Sequence, residues 1–164
     1  MPWLTVDGRR HSAVAGSTIL EAVAEIGIEI PTLCHDPRLA PSGACRVCIV
    51  SVEGEPRPVA ACTTPVRDGA IVHTHTPEVE ALRRTLLGLL ASSYPAGALT
   101  TDPDQPFHDL LRAHGLDGGT LVRSSPVRVD DSHPTIRVDL SRCISCWRCV
   151  CASAKRYRAS SFGS

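Results

Sequence analysis

Residues 30–66, IPTLCHDPRLAPSGACRVCIVSVEGEPRPVAACTTPV, hold four of the eight cysteines in this 164-residue chain: Cys34, Cys45, Cys48 and Cys62. Ten residues separate the first two, two the next pair and thirteen the last. A loop that gathers thiolates needs backbone that turns tightly and leaves N–H groups free to face sulfur. PSGACRVC is such a stretch, with Gly43 allowing the turn. Cys62 is expected to arrive from a neighbouring strand pair. Two chemistries are open on these residues, an iron–sulfur cluster and a zinc site. A four-cysteine zinc site commonly pairs two C-x2-C knuckles, and this stretch has one.

Outward from this stretch, residues 3–6 and 12–15 are predicted as short strands, with DGRR between them carrying an Asp-Gly turn signal. STILEAVAEIGIEI is predicted as a helix with Ser17 at its N-cap, Glu21 three residues beyond Thr18, and Gly27 as its stop. CIVSVEG and RPVAACTTPV alternate as a strand pair, and GAIVHTHTP adds a further strand that places His73 and His75 on one face. Strands around one helix in under 80 residues predict a small α+β domain. PEVEALRRTLLGLLASSYP is a helix opened by Pro77 and closed by Pro95, FHDLLRAHGL a shorter one, and TIRVDLSR a strand.

Composition narrows the function. Seventeen basic and seventeen acidic side chains cancel, which gives no electrostatic case for nucleic acid or a membrane surface. The apolar run TLLGLLA is too short to span a bilayer, and no secretory signal is visible at the amino terminus. A cytoplasmic location is therefore expected, where thiols stay reduced and clustered cysteines bind metal rather than pair. No GxGxxG and no nucleophile–base constellation is present, so catalysis by this chain alone is not expected.

With its C-x10-C-x2-C-x13-C spacing, the 30–66 stretch resembles the 2Fe–2S β-grasp domain of a large redox group. Members open the catalytic subunit of molybdenum formate dehydrogenases, the large peripheral subunit of NADH:quinone oxidoreductase, and iron hydrogenases. The first gap differs from the four residues of plant-type ferredoxins. The resemblance implies a β-grasp ferredoxin-like domain at 1–76, with Cys34, Cys45, Cys48 and Cys62 as ligands of a 2Fe–2S cluster.

In many such proteins a 4Fe–4S site held by one histidine and three cysteines follows. Its positions fall here on Tyr94, Ala98, Thr101 and Phe107, so residues 77–120 resemble that helical segment without its ligands. His108 and His114 are expected at the surface or at helix ends. A truncated 4Fe–4S ferredoxin-like start occupies 121–164. Cys143, Cys146 and Cys149 fit the first three places of C-x2-C-x2-C-x3-C, while Ser153 stands at the fourth and Cys151 falls short of it. That 4Fe–4S set is incomplete. CASAKRYRASSFG, back-translated with permitted codons and read two bases on, gives RICEEVQGQFVW, which restores a cysteine in register. The expectation is a frameshift after Val150 and a non-native tail from about residue 151.

The resemblance thus implies an iron–sulfur electron-transfer module, an N-terminal fragment of a formate dehydrogenase-like oxidoreductase subunit. It would pass single electrons between a molybdopterin catalytic body and a flavoprotein or other redox partner subunit. RPVAACTTPV, THTPEVEALRRTLL and CISCWRCV carry the formate dehydrogenase likeness. The alternatives are a free-standing 2Fe–2S subunit of an NADH dehydrogenase or hydrogenase complex, or a zinc-stabilised interaction module.

Overall fold

The computed structural model describes residues 1–92, 94–95, 97–116 and 129–153. The carboxy-terminal part of the tail expected to be non-native, 154–164, lies outside them.

The chain opens with a hairpin, β1 (Trp3–Val6) and β2 (Arg9–Ser12). Asp7 and Gly8 both take positive φ, +46° and +81°, as a two-residue hairpin turn requires. Pairing therefore resumes at once, Val6 against Arg9, and the second strand covers 9–12 instead of the predicted 12–15. Helix α1 (Ile19–Glu25) follows. Its N-cap is Thr18, not Ser17: Thr18 Oγ1 accepts from the Glu21 N–H, and the Glu21 carboxylate accepts from the Thr18 N–H at 2.7 Å. Ser17 instead donates its hydroxyl to the Val14 carbonyl. Gly27, at φ +73°, ends the helix as predicted.

Strands β3 (Ile49–Val52), β4 (Val59–Ala60) and β5 (Ala70–His73) complete a sheet of order β2-β1-β5-β3-β4. Only β1 and β5 run parallel, and the other neighbours are antiparallel. RPVAACTTPV is mostly not strand, because the N–H groups of Thr63 and Thr64 both turn back onto the Ala60 carbonyl. β5 ends at His73, so His75 is off the strand: His73 meets Glu53, and His75 meets Glu80. The core joins Leu4, Val6, Val23, Val50 and Val72 with Cys48 and Cys62 between α1 and the sheet. This mixed sheet around one helix is an α+β, ferredoxin-like β-grasp arrangement.

Helix α2 (Pro77–Ala91) buries Val79, Arg83, Leu87 and Ala91, a stripe at four-residue spacing. It ends four residues before Pro95. By compactness the chain divides into two units, one of residues 1–83 with 147–153 and one within 84–146. The second holds the rest of α2, α3 (Ala98–Thr101), α4 (Pro106–Ala113) and a two-stranded ribbon, β6 (Val129–Asp130) with β7 (Val138–Asp139). No element is predicted from the sequence at α3 or β6, and neither is long enough to show a period.

Candidate metal centre

Cys34, Cys45, Cys48 and Cys62 are 1–6% exposed, in unpaired thiol form. Cys34 and Cys45 belong to the loop before β3, Cys48 to its last turn, and Cys62 to the turn after β4. The loop is set by left-handed backbone at Gly43 (φ +63°) and Arg46 (φ +58°). A Cβ on Gly43 would sit 3.0 Å from Thr63 Cγ2, so this glycine lets the loop close on the turn that carries Cys62. An arginine in this conformation costs about 1–2 kcal/mol, a strain found where backbone is shaped for a ligand.

The sulfurs fall into two pairs. The Cys34 N–H donates to Cys45 Sγ at 3.4 Å, and the Val47 N–H also faces that sulfur. Cys48 and Cys62 share a hydrogen bond between their sulfurs, and the Cys62 N–H faces Cys48 Sγ, while the Ala61 N–H donates to the Cys48 carbonyl at 3.0 Å. Among the described residues no three His, Cys, Asp or Glu side chains close on one point, as a single tetrahedral ion needs. Two pairs of thiols on one loop and one turn suit a group with two metal atoms.

The electrostatics follow from burial and these donors. Burial pushes the Cys45 thiol up to about 11, against the N–H groups of Val47 and Cys34. Burial also opposes ionisation of Cys34, but hydrogen bonds with Cys45 and Ser42 outweigh it and leave that thiol below its ordinary value. In the other pair the hydrogen bond from Cys62 brings Cys48 down to about 6, and the same bond pushes Cys62 up. In each pair one thiol is thus lowered and the other raised.

Asp36, two residues past Cys34, is buried and receives the Arg38 backbone N–H and guanidinium. Arg38 holds its carboxyl well below the usual carboxylate range, with a contribution from Arg148 Nη2 at 3.3 Å. Arg148, in the sequence between Cys146 and Cys149, makes this ion pair within the first unit.

In that run Cys143 and Cys149 are exposed and Cys146 and Cys151 half-buried. Ser145 and Trp147 take positive φ, +54° and +63°, and the Ser145 N–H donates to Cys143 Sγ at 3.4 Å. Ser153, where the pattern asks for cysteine, donates its hydroxyl to the Cys149 carbonyl.

The middle segment is filled by packing. Tyr94, Ala98 and Phe107 are buried, with the Tyr94 and Phe107 rings edge to face at 5.2 Å, while Thr101 is exposed. His108, expected at the surface or a helix end, lies in the first turn of α4 but is fully buried, with Nε2 against the Tyr94 hydroxyl at 2.9 Å and Nδ1 against the Asp102 carbonyl. A partner fourteen positions away gives it a polar niche that local sequence does not show. His114 sits at the end of α4, with Nδ1 on the Leu110 carbonyl.

Arg83 is the neighbour that sequence reading missed. Its side chain is 1% exposed; Nε donates to the Val47 carbonyl at 3.1 Å and Nη2 to those of Ile49 at 2.9 Å and Thr74 at 3.4 Å. Nη1 pairs with Glu80.

Residues 3–77 match the family described as 2Fe-2S iron-sulfur cluster binding domain. The chain is 36% identical over 152 residues to the NADPH-Fe(3+) oxidoreductase subunit alpha of Geobacter sulfurreducens, covering 90% of this chain and 18% of that protein. It is 34% identical over 152 residues to the mitochondrial NADH-ubiquinone oxidoreductase 78 kDa subunit of Neurospora crassa, covering 90% and 20%. With the NADH-ubiquinone oxidoreductase 75 kDa subunit of Reclinomonas americana it shares 38% over 149 residues, 88% of this chain and 21% of the relative. Among solved structures, a chain of an NAD+-reducing NiFe-hydrogenase in the H2-reduced state superposes with a TM-score of 0.82 at 33% identity, over 94% of this chain and 67% of that one. This chain spans about a fifth of the length of those three curated relatives.

Proposed function

Because the chain belongs, through residues 3–77, to the 2Fe–2S iron–sulfur cluster binding domain family, we propose that it passes single electrons within an NADH dehydrogenase- or hydrogenase-type complex. The cofactor of the domain is a 2Fe–2S cluster. Cys34 and Cys45 would hold one iron and Cys48 and Cys62 the other. The observation that carries the assignment is the pairing of these four buried sulfurs, each pair met by backbone N–H groups.

When bound, the cluster supplies one-electron chemistry at a potential set by burial and hydrogen bonding. The protein's part is to hold four thiolates, exclude water with the α1–sheet core, and aim the N–H groups of Cys34, Val47 and Cys62 at sulfur. Hydrogen bonds to anionic sulfur are charge-assisted and strong, and they favour the more negative, reduced site.

The three relatives above are named as subunits, and the similar solved structure is a hydrogenase chain. These support redox partner subunits for this chain, and an NADH dehydrogenase or hydrogenase setting over the formate dehydrogenase one. What favours a formate dehydrogenase subunit is narrower: the likeness of RPVAACTTPV, THTPEVEALRRTLL and CISCWRCV, and a middle segment where Tyr94 and Phe107 pack in place of ligands. The cytoplasm is part of the same proposal, because its reducing poise keeps such thiols free. In the described run, Cys143, Cys146 and Cys149 have Ser153 at their fourth place, and we assign them no cluster.

Four single alanine variants, at Cys34, Cys45, Cys48 and Cys62, test the ligand set. Each is expected to lose the visible absorption and the reduced-state EPR signal, while Cys143→Ala keeps both. Retention of the signal in any of the four, or its loss in Cys143→Ala, contradicts the assignment.

A further inference from the structure

Arg83 is an almost fully buried cation, and a buried charge costs several kcal/mol unless hydrogen bonds and a counter-charge offset it. Its N–H groups reach acceptors in three segments: the carbonyls of Val47 and Ile49 on either side of Cys48, that of Thr74 after β5, and the Glu80 carboxylate one turn earlier on α2. A buried position on this helix could be filled by an apolar side chain at less cost, as Val79 on the same stripe shows.

The peptide between Val47 and Cys48 explains the choice. Its carbonyl accepts from Arg83 Nε, and in a trans peptide the N–H points the opposite way. That N–H belongs to Cys48, one of the four cysteines of the site. The guanidinium thus sits behind a peptide dipole whose positive end is the Cys48 N–H, and it polarises that dipole in a low-dielectric interior. Glu80 lies on the other side of Arg83, two-fifths exposed. Partial burial pushes its carboxyl up, but the His75 hydrogen bond and the charge of Arg83 outweigh this and leave it below its ordinary value. The pair is therefore asymmetric, with the cation toward the cysteine loop and the anion toward water.

We propose that Arg83 is a positioning residue of the cluster site: it fixes the Cys45–Cys48 loop through Val47 and Ile49 and, by its charge, raises the reduction potential. The inference rests on the 2Fe–2S reading above. Reduction adds one electron, and so one negative charge, without making or breaking a bond in the chain. A fixed cation one peptide away favours the product of that step.

The test is an EPR-monitored dithionite titration of the full chain, with thermal unfolding followed in parallel. Arg83→Met keeps the bulk and removes the charge. It is expected to lower the potential by about tenfold in the reduced-to-oxidised ratio, ~59 mV for one electron. Arg83→Lys should keep the potential near wild type while losing thermal stability, since it keeps the charge without the planar fork. Glu80→Gln removes the counter-charge at the surface and should move the potential the opposite way, upward. It also decides the matter if Arg83→Met fails to fold. Equal potentials in wild type and Glu80→Gln, or shifts of the same sign in Glu80→Gln and Arg83→Met, overturn the proposal and leave Arg83 a structural tie. A wild-type chain with no EPR signal on reduction overturns the 2Fe–2S reading itself.

Discussion

At Gly43 the cysteine loop meets the turn after β4, and two demands fall on one residue. Its φ of +63° excludes most side chains, and a Cβ would press on Thr63 one residue from Cys62. Gly43→Ala is therefore expected to destabilise the folded chain by about 1–2 kcal/mol and to shorten the life of the cluster, measured by chemical unfolding and by the decay of visible absorbance in air. An unchanged unfolding midpoint would show that the loop relaxes without cost. At this scale the sequence was most legible where chemistry is local: the 34–45–48–62 spacing and Gly43 pointed to a thiolate loop by themselves. Arg83 and His108 were not, because their partners are distant in the chain. Arg83 looks like one more charge on an amphipathic helix, and only its place on the Val79–Leu87–Ala91 stripe signalled burial.

At the scale of elements, the same rule separates what was read from what was not. The capping box of α1 is written within four residues, Thr18 to Glu21, and it forms with Thr18 rather than Ser17 as the cap. Thr18→Ala should cost about 1 kcal/mol of stability in thermal unfolding. The backbone N–H and hydroxyl of Thr18 hold Glu21 below its ordinary value. A carboxylate lowered on folding adds stability that is complete above the unfolded value of about 4.3 and is lost as pH falls through the folded one. Glu21→Gln should therefore flatten the acid limb of the stability profile below pH ~4.3, and an unchanged limb would contradict this role. β2 and β4 were misplaced for a different reason. Alternation says that a strand is possible, but the Asp7–Gly8 turn and the hydrogen bonds onto Ala60 decide where pairing starts and stops.

For the whole molecule, α+β architecture could be inferred from two strands, a helix and more strands within eighty residues, because a helix stripe and a sheet face have to cover each other. The parallel contact of β1 with β5 could not, since it joins segments more than sixty residues apart. The chain holds thiols of two kinds, a buried set in two pairs and an outer run whose fourth place is a serine. This difference predicts metal content. The measurement that tests the account most directly is iron, acid-labile sulfide and zinc per chain in anaerobically prepared protein. About two irons and two sulfides, with no zinc, are expected from a single 2Fe–2S site. Zinc without sulfide would contradict the account, and about six irons would show that Cys143, Cys146 and Cys149 had found a fourth ligand.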